Sequence, residues 1–192
     1  MNVTRETLII RLQKQYDDNA WVEFSSIYSG FIHAILFKMN INPADRDDLA
    51  QEILLKAWKN IPKFNLDHKR GKFRNWLGKI VSNTAKNYYR STASRRNAHS
   101  GSQEAYDSYS EPEIEKIAQD EWRTFIANMA WENIKDTLAE SNRKCFELIS
   151  KGMSVTEVSE ELNMSCNNVS VYKKRVMNKL SHEILRLEDE LN

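Results

Sequence analysis

Three groups of residues in this chain have the types and spacing to do chemistry, and in each the chemistry is recognition rather than bond making. Asp48, Gln51, Glu52 and Leu55 fall at i, i+3, i+4 and i+7, which puts two carboxylates, an amide and an apolar side chain on one helix face. Such a stripe suits docking against a basic partner helix, and its plainer alternative is a solvated acidic face. In the second group, Lys79, Ser82, Asn83, Lys86, Asn87 and Arg90 lie opposite an apolar stripe of Phe73, Trp76, Leu77, Ile80, Val81, Ala85 and Tyr88. Cations for phosphates beside amides for base edges are what a groove holding separated DNA strands needs. In the third, Asn167, Asn168, Ser170, Val171 and Lys174 project near a helix start where base edges can be reached, while Lys173, Arg175 and Lys179 suit phosphates.

Covalent chemistry finds no foothold. His33, His68, His99 and His182 are scattered through unrelated segments, so no catalytic residue is assigned. Cys145 and Cys166 stand far apart, without a CxxC pair or a histidine at a ligand interval, and call for neither a disulfide nor a metal. No cofactor is expected. The apolar run Phe31 to Phe37 is broken by His33 and is short of a membrane span, and Arg5, Glu6, Arg11 and Lys14 leave no secretory core. A cytoplasmic protein without membrane insertion is expected.

The net charge of +1 conceals a segregation. From Asn60 to Arg96 there are ten Lys or Arg and one acid, Asp67, whereas Asn97 to Glu147 carries eleven acids and five bases. A second basic stretch, Ser165 to Leu180, has no acid at all. Two basic surfaces flanking an acidic middle are the footprint of two nucleic-acid contacts.

Helices must position all three groups, because apolar periodicity is helical nearly throughout and strand alternation is absent. The spacing predicts helices over about Arg5–Tyr16, Ala20–Met39, Pro43–Lys59, Gly71–Arg90, Glu113–Thr137, Ser141–Lys151 and Cys166–Leu191, with a short capped one after Ser154. Asn42 as N-cap with Pro43 at the first helical position starts the third of these, and Ala50, Leu54, Ala57, Trp58 and Ile61 are its expected core face. Gly152 is placed as a C-terminal cap, and Ser154 with Glu157 forms a capping box. Ser154 to Leu180 then has the layout of a helix-turn-helix, locked by Val155, Val158, Leu162, Val169, Tyr172 and Val176 across the turn Asn163-Met164-Ser165. Ser91 to Pro112 has linker composition. The fold class expected is therefore all-α, two small helical domains over 1–92 and 113–192 joined by a flexible linker over 93–112.

At these residues the chain resembles the sigma-70 family of RNA polymerase sigma factors, in its small extracytoplasmic-function (ECF) group. The run Asp48 to Trp58 is similar to the family's region 2.2, Phe73 to Arg90 to regions 2.3 and 2.4, and Ser154 to Leu180 to region 4.2. The resemblance implies that Asp48, Gln51, Glu52 and Leu55 meet the beta-prime clamp helices of core RNA polymerase, with the beta flap as a further polymerase contact. It also implies that the loop Asn65 to Lys72, with Lys79, Asn83, Lys86, Asn87 and Arg90, captures unstacked bases of the −10 element. Duplex reading of the −35 element falls to the recognition helix, and an anti-sigma factor is a further partner of the kind the family has. Asn163 stands where a Gly is common at the turn, a place the left-handed conformation tolerates, and Asn167-Asn168 departs from the family's pattern.

Two other readings compete. A conventional helix-turn-helix regulator with an N-terminal sensing or dimerisation domain shares the C-terminal signal but leaves Asp48 to Arg90 unexplained. A nucleic-acid enzyme would need an acid cluster, and Asp45, Asp47 and Asp48, the one dense group, already suit a helix start.

Overall fold

The computed structural model describes residues 5–65, 73–100 and 111–191, and among these every regular element is a helix. In chain order they are α1 (Arg5–Gln13), α2 (Asp18–Lys38), α3 (Pro43–Asn60), α4 (Phe73–Ser100), α5 (Glu111–Ile134), α6 (Glu140–Ser150), α7 (Val155–Glu161) and α8 (Cys166–Leu191). Single 3-10 turns extend α3 over Ile61–Lys63 and α5 over Lys135–Thr137. The all-α expectation holds. Packing divides the chain into two compact units at Phe125/Ile126, inside α5, whereas composition puts the division at 93–112. The difference has a physical source. α4 runs on to Ser100, ten residues past its expected end at Arg90, and the first half of α5 packs with the N-terminal unit.

Local signals explain the helix ends. Asp17 caps α2 by accepting from the Ala20 amide at 2.9 Å, and its carboxylate also takes two hydrogen bonds from Arg11, at 2.7 and 3.1 Å. Those bonds hold the Asp17 carboxyl below its usual range, the Arg11 hydrogen bond first. α1 stops at Gln13, short of the expected Tyr16, because Gln15 adopts φ 55°, a left-handed conformation that breaks the ladder. Asn42 caps α3 through the Ala44 amide at 3.1 Å, with Pro43 first in the helix, as the sequence leads one to expect.

The N-terminal unit is built on α2. Ala20, Phe24, Tyr28, Phe31, Ile32, Ile35 and Leu36 are buried along it, one apolar face too wide for a surface helix. By length and composition α2 is long and apolar enough to cross a membrane, which a reading confined to residues 31–37 missed. Here that apolar face is the centre of the bundle. Phe24 packs on Tyr28 at 4.7 Å and on Phe73 of α4 at 6.0 Å, and Trp122 of α5 meets Phe31 edge-on at 5.3 Å. α3 contributes Leu49, Ala50, Ile53 and Ala57, and Ile61 closes its end. Leu54 and Trp58, expected in the core, are only half-buried, Trp58 against Trp21 at 5.0 Å.

The C-terminal unit is thinner. Its buried cluster is Cys145, Val158 and Val169, with Val155, Leu162 and Tyr172 packed on it as the sequence pattern requires and Val176 buried one turn on. Cys145 sits in the middle of that cluster as a small apolar group, and burial pushes its thiol pKa up.

Candidate nucleic-acid interfaces

On α3 the burial of Leu49, Ala50, Ile53 and Ala57 turns the other face outward. Asp48, Gln51, Glu52 and Leu55 are all exposed there, and Leu55 at 54% is a large apolar side chain left in solvent. The structure thus brings the four together as one stripe. Beside them the Lys56 ammonium pairs with Glu52 Oε1 at 2.6 Å and donates to Thr84 Oγ1 at 3.1 Å. Thr84 is buried in α4, so one lysine joins the acidic stripe to the inside of the basic helix.

α4 is registered against its neighbours by two tyrosines. The Tyr88 hydroxyl donates to Asp45 Oδ2 at 2.7 Å, and burial followed by that carboxylate raises its pKa. Tyr89, not Tyr88, enters the core, where its hydroxyl donates to the Met39 carbonyl. This register leaves Lys79, Asn83, Asn87 and Arg90 exposed and Lys86 half-buried. Ser82, placed with the outward polar group, lies on the same side as Lys79 and Asn83 but is only 7% exposed.

A cleft of about 880 Å3 opens along the first turns of α4. It gathers Asn65, Lys79, Ser82 and Asn83, four of the residues singled out for single-strand contact. Lys86, Asn87 and Arg90 lie beyond its lining, further along α4, and Lys72 lies outside the described residues. Lys63 and Arg74 add two cations that the sequence reading passed over, although both stand in the basic stretch it had marked. Phe64 and Trp76 supply an aromatic wall, their rings 5.2 Å apart, with Phe73 behind them. Stacking surface, amides and cations in one concavity are the equipment for holding an unpaired base. Ile114, Glu115, Ala118 and Gln119 of α5 also line the cleft, and no sequence signal pointed to them.

In the C-terminal unit Ser154 accepts from the Glu157 amide at 3.3 Å and Glu157 accepts from the Ser154 amide at 2.7 Å, the reciprocal pair expected. The Ser154 amide bond is the main reason the Glu157 carboxyl titrates below its usual range. Gly152 ends α6 with φ 96°, and Asn163 makes the turn with φ 49°. Ser165 then caps α8 by accepting from the Asn168 amide at 3.2 Å. Asn167, Asn168, Ser170, Val171, Lys173, Lys174, Arg175 and Lys179 are all exposed on α8, while Val169 and Val176 turn in. Ser170 is the one member committed elsewhere, its hydroxyl donating to the Cys166 carbonyl at 2.9 Å.

Comparison with known proteins falls on these same two units. Residues 26–95 match the family described as sigma-70 region 2, and residues 136–183 match bacterial regulatory proteins of the luxR family. The ECF RNA polymerase sigma factor SigW of Bacillus subtilis (strain 168) is 31% identical over 74 residues, which are 38% of this chain and 38% of that protein. The matched stretch thus spans less than half of that relative. Among solved structures, that of CnrH in complex with the cytosolic domain of CnrY covers 94% of this chain and 96% of its own at 19% identity, with a TM-score of 0.41, a loose likeness.

Proposed function

We propose that this chain is a sigma factor of the sigma-70 family, in its ECF group, acting in transcription initiation and not as an enzyme, with a division of labour between its two units. The protein binds core RNA polymerase through the α3 stripe, captures unstacked −10 bases in the α4 cleft, and reads −35 duplex with α8. The polymerase contacts are the beta-prime clamp helices for Asp48, Gln51, Glu52 and Leu55, and the beta flap for the C-terminal unit. By this reading residues 1–92 act as region 2 and 113–192 as region 4. An anti-sigma factor is a further partner of this proposal.

The observation that carries it is the cleft. Asn65, Lys79 and Asn83 share one concavity with Lys63, Arg74 and the Phe64 and Trp76 rings, inside the span that matches region 2. Separating a base from its stack costs a few kcal/mol, and a pocket that holds the extruded base offsets that cost, so capture and melting become one event. Leu55, exposed on one helix face with Asp48, Gln51 and Glu52, fits the polymerase surface as the apolar contact within an acidic stripe.

The test separates the surfaces. Glu52→Lys is expected to abolish association with core polymerase, while Lys174→Ala keeps it and weakens promoter use. Asn83→Ala is expected to leave the closed complex intact and reduce permanganate reactivity of unpaired thymines. Equal loss of polymerase binding in the first two variants sinks the assignment of units, and normal opening in the third removes Asn83 from the site.

A second reading, a conventional helix-turn-helix regulator, draws on the luxR-family match over residues 136–183. Specific duplex binding by the isolated chain as a dimer, with no association with core polymerase, favours it.

A further inference from the structure

Part of the α4 cleft is made by a segment that has no role in the reading above. Ile114, Glu115, Ala118 and Gln119 of α5 complete its lining, and all belong to the N-terminal unit. This is close packing. Ile114 and Trp122 are each 1% exposed, and the Ala118 Cβ lies 3.7 Å from the place a Cβ would take on Gly78. Gly78 immediately precedes Lys79 and is five residues before Asn83, so α5 meets α4 beside the very side chains offered to DNA.

The charge of the segment matters as much as its position. From Glu111 to Glu121 it has five acids, Glu111, Glu113, Glu115, Asp120 and Glu121, and one base, Lys116. A phosphate backbone approaching Lys79 from that side meets the exposed Glu115 carboxylate, a like charge. The docked arrangement also has a built-in weakness. Trp122 Nε1, buried on α5, has no hydrogen-bond partner within the chain, so its packing there leaves a polar group uncompensated.

We infer that the first half of α5 is a displaceable acidic wall of the DNA cleft, docked on α4 in the free chain and restricting the entry of single-stranded DNA. The inference rests on the proposed −10 role of α4. Apparent affinity for a single strand is then the intrinsic affinity scaled by the fraction of chains in which α5 has lifted.

The separation at Gly78 and Ala118 supplies the test, because 3.7 Å between Cβ atoms is within the usual range for a disulfide. Gly78→Cys with Ala118→Cys, in a chain where the exposed Cys166 is replaced by Ser, allows α5 to be locked on α4 by oxidation and released by reductant. Oxidised full-length protein is expected to bind a labelled single-stranded oligonucleotide at least fivefold more weakly than the same protein reduced. With core polymerase it is expected to associate normally but to lose permanganate reactivity at a promoter, and to regain it on reduction. Ile114→Asp, which undocks α5 without a crosslink, is expected to raise the oligonucleotide affinity of the free chain severalfold.

Equal single-strand affinity and equal opening in the oxidised and reduced proteins, with Asn83→Ala still impaired in opening, overturn the restriction and leave the −10 role standing. Absence of single-strand binding and of opening in the reduced and wild-type proteins alike removes the −10 role and this inference with it.

Discussion

The two DNA-facing units of this chain rest on very different foundations. Behind the α4 cleft lies an aromatic cluster of Phe24, Tyr28, Phe31, Phe73 and Trp122, several rings deep. The C-terminal unit buries Cys145, Val158 and Val169 with Val176, Leu187 and Ile126, Ala130 and Ile134 of α5, a core of small and aliphatic side chains. Under the proposed −10 role the cleft must hold bases apart against their stacking, and the packed rings of Phe24, Tyr28, Phe31 and Phe73 on α2 and α4 back it. Laying one helix in a groove requires only that the helix be presented at a fixed angle, which a capped turn and a few aliphatic contacts achieve.

The comparison breaks most readily in the cores. Phe24→Ala is expected to cost roughly 3–5 kcal/mol of N-terminal-unit stability, as removal of a buried aromatic ring does. Val158→Ala removes two buried methyl groups and is expected to cost roughly 1.5–2.5 kcal/mol, at about 0.8 kcal/mol per group plus a cavity contribution. Urea unfolding followed by tryptophan fluorescence and by helical circular dichroism measures both. Similar losses in the two variants contradict the difference in depth.

A finer contrast lies in salt dependence. Each phosphate contact contributes a slope of about 0.9 on duplex and about 0.7 on single strands, in log affinity against log salt. Lys174→Ala is expected to lower the slope by about that one contact on duplex and leave single-strand binding alone, and Lys79→Ala to do the reverse. Fluorescence anisotropy over a salt series reads it, and crossed effects show that the surfaces are not separate.

Capping sharpens the picture at a smaller scale. Ser154→Ala removes a reciprocal pair and is expected to cost about 1 kcal/mol, visible as earlier melting of the C-terminal unit. An unchanged melting point indicates that tertiary contacts alone hold α7.

The smallest effect is in acid. Glu157 titrates below its unfolded value because of the Ser154 amide bond, and Asp17 does so because of Arg11. Both contribute stability that is present above their unfolded pKa, about 4, and that is lost as pH falls through the folded value. The difference in melting temperature between wild type and Glu157→Gln is therefore expected to shrink between about pH 5 and pH 3. A difference that persists at the lower pH assigns the bond to something other than the carboxylate charge.

How much of this was legible from residues alone followed from range. The helix-turn-helix was legible almost to the residue, since Gly152, Ser154, Glu157, Asn163 and Cys166 announce caps and turns through contacts within a few positions. The outward stripe of α3 was legible for the same reason, helical spacing being a local property. The cleft was legible only in part. Lys79 and Asn83 follow from the face of one helix, but Lys63, Arg74 and the α5 wall come from segments brought together by packing, which no period along the chain encodes. Ser82 shares the face of Lys79 and Asn83, and only its low exposure went unmarked, since a small polar residue tolerates burial that the apolar pattern does not show. The far end of α4 escaped notice because Ser91 to Ser100 carries no apolar period.

One small contact on α8 would narrow what the helix can read in its proposed −35 role. Ser170 spends its only proton on the Cys166 carbonyl one turn back. What is left to it is a pair of lone pairs, so under the proposed −35 role it would offer an acceptor to an exocyclic amine, on cytosine or adenine, and no donor to the acceptor edge of guanine. A hydroxyl that in isolation would answer to either kind of edge has been reduced to a one-way channel, and the vocabulary of the recognition helix narrows by one ambiguous symbol.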